Sequence, residues 1–194
     1  NRLQQQINTL KLNNFTPGLA VIQIGNRKDS TTYVNHKATT CTKYGIKSEI
    51  IKLPDDTSES IVLSVIEKLN NNPDIHGILV QLPLPVNLNT NVILNTIDEK
   101  KDVDCFNNKN VGRLILNDEP LFKPCTPAGC LELLNYYNID VEGKDVVVIG
   151  NSRIVGMPLS HMLLQKGATV TVCHIKTKSV KKYTQHADIV FSAC

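Results

Sequence analysis

The chain has 194 residues, which is enough for one sizeable domain or two small ones. Its composition, with 41% hydrophobic and 20% charged residues, is that of an ordinary globular protein. No apolar run approaches the roughly 20 residues that span a bilayer, so we expect no membrane partner. A net charge of +3 does not favour a nucleic-acid partner either, and the one basic cluster is typical of a solvated surface: Lys176, Lys178, Lys181 and Lys182.

The six cysteines form no C-x-x-C pair and have no His at the spacing of a zinc site. We therefore expect reduced thiols in a reducing compartment and no metal site. The chain does not begin with Met, and its first residues resemble the middle of a helix, so a lost targeting segment stays an open alternative. The prediction is a cytoplasmic protein, with a mitochondrial one as the alternative.

Strand-like and helix-like segments alternate along the first half of the chain. Apolar runs predict strands at 19–24, 49–53 and 77–81, and helix-compatible segments lie between them at 30–43 and 58–69. A Pro-rich break then follows at Pro83 and Pro85. This alternation is typical of an α/β fold with a mostly parallel sheet covered by helices.

The second half repeats the alternation. Thr126 as N-cap and Pro127 at the first helical position predict a helix that runs to about Tyr137. The later elements are a strand at 145–149, a helix from about 155 to 166, and strands at 168–173 and 188–192.

A long stretch without periodicity, residues 100–124, separates the two halves and is predicted to be irregular. We place the boundary near Cys125, with domains at 1–125 and 126–194. Only three strands follow Asn138, and the chain stops with the last of them. Since an unfinished sheet leaves an open edge, we expect an incomplete second domain and a chain truncated at both ends.

Several polar residues are predicted to gather at one edge of the first sheet. Tyr33 and Lys37 lie four apart in a helix-compatible segment after the first strand, so they share a face. Gln81 ends another strand. Asp102 and Asp104 lie two apart in a loop, where an extended chain would direct them alike. Ligands of α/β sheets bind at the carboxyl ends of the strands, which is where these residues should lie.

These residue types suit proton transfer beside a flat ligand. A Lys in a cleft near an amide can serve as both acid and base. Tyr33 offers a stacking face, and Asp104 can accept hydrogen bonds from an aminopyrimidine. Spacing alone also fits an ordinary surface, with a Tyr-x-x-x-Lys pair on an exposed helix, a Gln at a strand end and Asp residues that form a turn.

A glycine turn in the second half has the arrangement of a nucleotide-binding site. The strand at 146–149 runs into Gly150, and a helix follows near Gly156, so backbone N–H groups and the positive end of a helix dipole face the turn. The Gly-x5-Gly spacing differs from the usual G-x-G-x-x-G. The alternative is a plain turn whose glycines serve helix–sheet packing.

Taken together and in order, these segments resemble the methylene-tetrahydrofolate dehydrogenase/cyclohydrolase family over essentially the whole chain. The matching segments are Tyr33-Val34 with Lys37 and Gly45-Ile46, His76 through Pro83, Lys101-Asp102-Val103-Asp104, Asn110 through Leu114, Pro124 through Gly129, and Gly150 through Gly156 with Pro158. The resemblance implies a catalytic domain, a Rossmann-type domain that binds NADP or NAD, and a homodimer. The chain would be a bifunctional enzyme or the N-terminal part of a trifunctional C1-tetrahydrofolate synthase.

The resemblance also implies a reaction and its residues. Such enzymes oxidise 5,10-methylene-tetrahydrofolate to the methenyl form and hydrolyse that to 10-formyl-tetrahydrofolate, in the one-carbon metabolism that supplies purine biosynthesis. The Lys matching Lys37 is the acid/base, mainly of the hydrolysis, and the Gln matching Gln81 hydrogen-bonds it. The Tyr matching Tyr33 stacks on the folate, and the Asp matching Asp104 anchors the pterin.

The expected site residues extend beyond these four. The substrate site comprises Tyr33, Val34, Asn35, His36, Lys37, Val80, Gln81, Leu82 and Asp104. The cofactor site comprises Gly150, Asn151, Ser152, Arg153, Ile154, Val155, Gly156 and Ile175.

Three positions depart from the family's pattern. Cys105 stands where members often have Gly, and if that position needs a positive φ, a Cys there is strained. Asn151 and Ile175 stand where NADP-using relatives carry Arg and Ser, which weakens two contacts to a 2′-phosphate. These departures favour NAD or a relaxed preference, although basic residues nearby could compensate: Arg153, Lys176 and Lys178.

Two other functions compete with the enzyme. A catalytically silent domain kept for folate binding or dimerisation would accommodate Cys105 and Asn151. It has no reason to retain all four candidate catalytic residues, which are Tyr33, Lys37, Gln81 and Asp104. A Rossmann dehydrogenase for an amino or keto acid would explain the glycine turn and leave the K-D-V-D segment unexplained.

Overall fold

The structure is a computed structural model that describes residues 2–118 and 120–194, and of Arg2 the backbone alone. The chain divides into two compact units, Asn1–Val103 and Asp104–Cys194. This division comes earlier in the chain than the domain boundary predicted near Cys125, which stays a prediction for the functional domains. None of the helices in the described residues combines the length and the apolar character that a membrane crossing needs.

The first unit is an α/β structure around a parallel sheet. Its strands lie in the order β2-β1-β3, so the first strand is central and Ile22 pairs with both Ile51 and Val80. This confirms the predicted parallel sheet. The elements of the described part of the unit are α1 (Arg2–Leu12), β1 (Gly18–Ile24), α2 (Lys28–Tyr44), β2 (Lys47–Leu53), α3 (Glu59–Asn70), β3 (Gly77–Val80) and α4 (Thr90–Thr96).

The central strand explains why the first apolar run is continuous. A strand covered on both faces has no side that favours polar residues, and β1 is buried almost throughout. Val21 packs with Leu79 on β3 and with Val34 on α2, and Val34 has no exposed surface. This contact fastens α2 to the sheet.

The side chain of Lys101 closes the carboxyl end of α3. Its ammonium donates to the carbonyl oxygens of Leu69, Asn70 and Asn72 at 3.0, 2.7 and 2.8 Å. These carbonyls lie at the negative end of the helix dipole, where a cation is stabilising. The carbonyl of Lys101 in turn accepts from the N–H of Ile78 at 2.7 Å, which ties this segment to β3.

We expect Lys101→Met to lower the free energy of unfolding of the first unit by about 2–3 kcal/mol, since a hydrogen bond to a charged group contributes about 1.5–3 kcal/mol and three bonds that share one ammonium are not additive. Lys100→Met, at an exposed neighbour, should change it by less than ~0.5 kcal/mol. Urea denaturation followed by circular dichroism measures both. Equal effects of the two substitutions would contradict the capping role.

The second unit is a second parallel sheet with helices, in the strand order β5-β4-β6. In its described part the elements are α5 (Asn108–Leu116), α6 (Cys125–Tyr136), β4 (Asp145–Ile149), α7 (Gly156–Leu164), β5 (Thr169–Cys173), α8 (Val180–Thr184) and β6 (Ile189–Ser192). The buried core lies between β4 and α5, α6 and α7, and it includes Leu114, Leu131, Val146, Val148, Leu159, Met162 and Leu163.

The prediction of an irregular stretch over residues 100–124 is wrong in part, because α5 lies within it. The helix has local signals at both ends. Asn107 caps its start, with a side chain that accepts from the N–H of Lys109 at 2.9 Å, and Asn117 ends it in the left-handed region at φ 59°. Burial of Leu114 in the core of the second unit stabilises it.

The predicted start of α6 also needs correction. Pro124, and not Thr126, occupies the N-cap position, so Pro127 is the third helical residue and not the first. Because the first N–H groups of a helix have no intrahelical acceptor, a proline is tolerated throughout the first turn. The helix predicted from about 155 to 166 corresponds to α7 (Gly156–Leu164), which is shorter at both ends.

Candidate active site

Lys37 and Gln81 meet within the first unit. Lys37 lies half-buried on α2, and its ammonium donates to Oε1 of Gln81 at 3.0 Å. Gln81 follows β3 directly, and its backbone N–H donates to the carbonyl of Ile22 at 2.9 Å. Its Nε2 donates to the carbonyl of Leu82 at 2.9 Å. The amide is thereby held at both ends, with its acceptor oxygen directed to the lysine.

Tyr33 lies one helical turn before Lys37 and is 65% exposed. An aromatic side chain with this exposure has surface available for a flat ligand to stack on. Asn35 and His36 are also exposed. The helix therefore presents several of the predicted substrate residues to solvent.

Two of the predicted substrate residues point elsewhere. Val34 has no exposed surface and Val80 is 2% exposed. Val34 packs on Val21 and Leu79 in the core, so its side chain is a structural contact and not a ligand contact. A ligand would meet these two residues through their backbone.

The prediction that an extended loop directs Asp102 and Asp104 alike is wrong, because the chain turns here. Asp102 forms an isolated parallel bridge with Ile78 and is 1% exposed. Asp104 is half-buried and begins the second unit. The two carboxylates therefore stand in different environments, and the role of Asp104 toward the pterin stays a prediction.

Cys105 adopts the left-handed conformation that the family's usual glycine tolerates. Its φ is 58°, and its side chain is 1% exposed. The other non-glycine residues with a positive φ in the described chain are asparagines, which tolerate this region better: Asn14, Asn117 and Asn138. Position 105 therefore does adopt a positive φ, and this conformation costs a non-glycine residue about 1–2 kcal/mol.

Two of the six cysteines lie in surroundings that disfavour the thiolate form. None of the six cysteines, all within the described residues, takes part in a disulfide. Burial raises the pKa of the Cys41 thiol and of the Cys130 thiol, which makes them poorer nucleophiles.

At the start of α2, the side-chain hydrogen bond from Arg27 is the main cause that lowers the pKa of Asp29 to about 2. This ion pair is exposed, so it contributes little to stability.

Gly150 and Gly156 bring the turn after β4 into backbone contact with the start of α7. Gly150 has a φ of 118°, and its N–H donates to the carbonyl of Cys173 at 2.8 Å. A Cβ on Gly156 would overlap the carbonyl oxygen of Gly150 and lie 3.1 Å from the Cα of Asn151. Close approach of this kind is what a pyrophosphate-binding turn requires, so the turn fits a dinucleotide.

The residues between the two glycines form an open, hydrogen-bonded loop. Asn151, Ser152 and Arg153 are exposed, Ile154 is 37% exposed, and Val155 is half-buried. The Ser152 hydroxyl accepts from the N–H of Val155 at 3.2 Å. The loop thus has a shape set by its own bonds, with polar side chains available to a ligand.

Asn151 and Ile175 lie beyond the carboxyl ends of neighbouring strands. Ile149 at the end of β4 pairs with Cys173 at the end of β5. Asn151 lies two residues after Ile149, and Ile175 lies two residues after Cys173. Ile175 is fully exposed in a turn where the N–H of Thr177 donates to the carbonyl of His174 at 2.8 Å. Both positions lie at the sheet edge where a cofactor would bind.

The sequence reasoning missed Gln23, whose side chain is 2% exposed and donates to Oγ1 of Thr31 at 2.7 Å. A lone amide within the apolar run of β1 was the signal that could have revealed it. No cluster of three or more His, Cys, Asp and Glu side chains within the described ranges is placed to hold a metal ion.

The sequence matches the models of one family in two parts. Residues 1–104 match the catalytic domain of tetrahydrofolate dehydrogenase/cyclohydrolase, and residues 124–194 match its NAD(P)-binding domain. The bifunctional protein FolD of Helicobacter hepaticus is 51% identical over 188 residues, which are 97% of this chain and 65% of that protein. The chain spans between 49% and 65% of the length of three such relatives.

Solved structures agree in fold. The crystal structure of the bifunctional FolD methylenetetrahydrofolate dehydrogenase/cyclohydrolase from Campylobacter jejuni has a TM-score of 0.97 at 47% identity, and the match covers 100% of this chain and 68% of that one. The FolD of Trypanosoma brucei, complexed with NADP cofactor and inhibitor, has a TM-score of 0.95 at 34% identity, covering 100% of this chain and 67% of that one. The chain therefore belongs to the tetrahydrofolate dehydrogenase/cyclohydrolase family.

Proposed function

We propose that this protein oxidises 5,10-methylene-tetrahydrofolate to 5,10-methenyl-tetrahydrofolate with NAD or NADP, and hydrolyses the product to 10-formyl-tetrahydrofolate. These are steps of one-carbon metabolism, which supplies purine biosynthesis. The observation that carries the proposal is the hydrogen bond between Lys37 and Gln81 at the carboxyl end of β3. Relatives that are named as bifunctional dehydrogenase/cyclohydrolases support it.

Lys37 moves the protons of the hydrolysis. Water attacks the cationic methenyl carbon and loses a proton. The bond from that carbon to N5 then breaks as N5 takes up a proton and the new hydroxyl loses its second proton to become the formyl oxygen. One water is consumed and one proton is released overall. Gln81 accepts one hydrogen of the Lys37 ammonium, which leaves the others directed away from the amide and available to the reacting atoms.

The other residues bind and orient the ligands. Tyr33 stacks on the folate, and Asp104 accepts hydrogen bonds from its amino edge. The turn from Gly150 to Gly156 holds the pyrophosphate against the start of α7. The bound nicotinamide supplies the hydride acceptor of the oxidation, and the protein contributes alignment.

The hydrolytic half can be tested without cofactor. The protein at its natural length should accelerate the loss of methenyl-tetrahydrofolate absorbance over buffer, with 10-formyl-tetrahydrofolate identified by chromatography. A folded protein that binds a folate analogue without accelerating this reaction would contradict the proposal and support the silent folate-binding domain.

We propose that NAD binds more tightly than NADP, because Asn151 and Ile175 offer a 2′-phosphate no charge. Asn151→Arg should tighten NADP binding about tenfold, which corresponds to the roughly 1.4 kcal/mol of a charge-assisted contact. NAD binding should change by less than about twofold, because it has no 2′-phosphate. Asn151→Gln, which keeps the amide, is the control, and calorimetric titration gives the dissociation constants. NADP binding to the wild type at least as tightly as NAD would refute the preference.

We also propose a homodimer in the cytoplasm. The family resemblance supports the dimer, and the cysteine pattern of the sequence, without a C-x-x-C pair, supports a reducing compartment. Sedimentation equilibrium measures the mass in solution, and a monomer at micromolar concentration would contradict the first part.

A further inference from the structure

Gln23 is a buried amide within an apolar strand, and its orientation is determined by its partners. Its Nε2 donates to the carbonyl of Gly25 at 3.1 Å and to Oγ1 of Thr31 at 2.7 Å. Thr31 commits its own hydroxyl proton to the carbonyl of Arg27 at 3.0 Å. Both partners of the amide are therefore acceptors, and only the nitrogen of Gln23 can face them.

The other end of the same amide is left without a partner. Oε1 of Gln23 is buried and has no hydrogen-bond partner among the described residues. A buried acceptor without a partner is unfavourable for folding, and an apolar side chain of the same size would avoid that cost. The cost of this oxygen therefore offsets part of what the two hydrogen bonds of the nitrogen contribute to stability.

The partner of Gln23 lies at the start of the helix that carries Lys37. Arg27 is the N-cap of α2, and it makes no side-chain capping hydrogen bond. The bond from Gln23 to Thr31 is a directional link between β1 and the second turn of α2. Val34 adds an apolar contact between α2 and the sheet. Such a contact opposes separation of the helix from the sheet but is less directional than a hydrogen bond, so it opposes a shift of the helix along the sheet less well.

The same strand also holds the partner of Lys37. The N–H of Gln81 donates to the carbonyl of Ile22 at 2.9 Å, and Gln23 is the next residue of β1. Two adjacent residues of β1 therefore hold the two sides of the Lys37–Gln81 hydrogen bond. Ile22 binds the backbone of Gln81, and Gln23 binds the helix that carries Lys37. Lys37 lies six residues after Thr31, roughly 9 Å along the helix axis.

We propose that Gln23 is a positioning residue that locks the start of α2 to the carboxyl end of β1, so that Lys37 meets Gln81. It acts through Thr31 and touches no ligand. The inference rests on the proposed function of Lys37 as the acid/base of the hydrolysis.

The first test measures the helix itself. Gln23→Met keeps the length of the side chain and removes the donor, and Thr31→Val removes the acceptor. Both should increase hydrogen–deuterium exchange in peptides covering residues 28–37 about tenfold, and the double variant should add nothing further. Thr32→Val is the matched control, because this exposed hydroxyl bonds to the carbonyl of Lys28 at 2.9 Å but not to β1.

The second test separates positioning from stability. Gln23→Met should change the melting temperature little, because it removes the unpartnered oxygen together with the donor to Gly25 and Thr31, and these two effects oppose each other. The kcat of hydrolysis should nevertheless fall about tenfold, since a small misplacement of a reacting group is costly, while KM for the methenyl substrate stays within about twofold. A loss of activity that follows a loss of stability would indicate a merely structural role and overturn the inference.

The remaining outcomes are also decisive. Unchanged exchange in Gln23→Met, or faster exchange with unchanged hydrolysis, overturns the positioning role. A wild-type protein without hydrolytic activity defeats the proposed function instead. In that case the exchange comparison with Thr32→Val alone decides whether Gln23 holds the start of α2.

Discussion

Lys37→Met is expected to slow the hydrolysis of methenyl-tetrahydrofolate by roughly 10²- to 10⁴-fold, the usual contribution of a positioned acid/base. Methionine retains the length of the side chain and its packing on α2, so the loss isolates the ammonium that donates to Gln81 at 3.0 Å. Initial rates with the purified substrate, without cofactor, measure the effect.

The control for this substitution is Lys43→Met. Lys43 is exposed in the last turn of the same helix and makes no hydrogen bond to Gln81. Its substitution should leave the rate within about twofold, as for other exposed positions away from special contacts. Comparable rates for Lys37→Met and Lys43→Met would show that Lys37 is not the acid/base of the hydrolysis.

Gly156→Ala is expected to weaken NAD and NADP binding about 100-fold or more and to lower the melting temperature. The added Cβ would overlap the carbonyl oxygen of Gly150, and neither atom can move away unless the backbone of the turn opens. A pyrophosphate bound to this turn would lose its N–H donors together with the turn's shape. Calorimetric titration and differential scanning calorimetry measure the two effects.

Gly129→Ala provides the matched control. Gly129 lies on α6, and a Cβ there would meet nothing within 4 Å. Alanine at this site should stabilise the helix by up to ~1 kcal/mol. Cofactor binding by Gly156→Ala at the strength of Gly129→Ala would show that the turn does not hold the cofactor.

Most strands were predictable because they are compact runs of β-branched and aliphatic residues, whereas the more polar β2 begins two residues before its predicted start. β4 lies at the predicted positions, and β1 extends the predicted run by only one residue. The polar helix-compatible segment predicted for α2 and the amphipathic segment predicted for α3 also lie within two residues of the observed helices at each end. Burial on both faces of a parallel sheet produces this strong and local signal.

Helix α5 was not predicted, although its apolar residues recur with helical periodicity. α5 depends on the cap at Asn107 and on burial of Leu114, which is a tertiary contact. Asp102 and Asp104 face different environments because a turn, and not an extended chain, links them. Side-chain direction in a short connection follows from backbone turns that spacing does not reveal.

The candidate site was predictable as a set of residue types and less so as a geometry. Helical spacing placed Tyr33 and Lys37 on one face, and the strand end placed Gln81 near them. The buried side chains of Val34 and Val80 came into the predicted site only because they adjoin these residues in the chain. The role of Gln23 depends on a hydrogen bond between two elements, to Thr31, which no local pattern encodes.

The most direct measurement of the central claim is turnover of 5,10-methylene-tetrahydrofolate by the protein at its natural length, with NAD and NADP in separate reactions. The account predicts methenyl-tetrahydrofolate formation that depends on the cofactor, is faster with NAD, and is followed by release of 10-formyl-tetrahydrofolate. Folded protein that forms no methenyl-tetrahydrofolate with either cofactor would contradict the proposed activity and support a folate-binding domain instead.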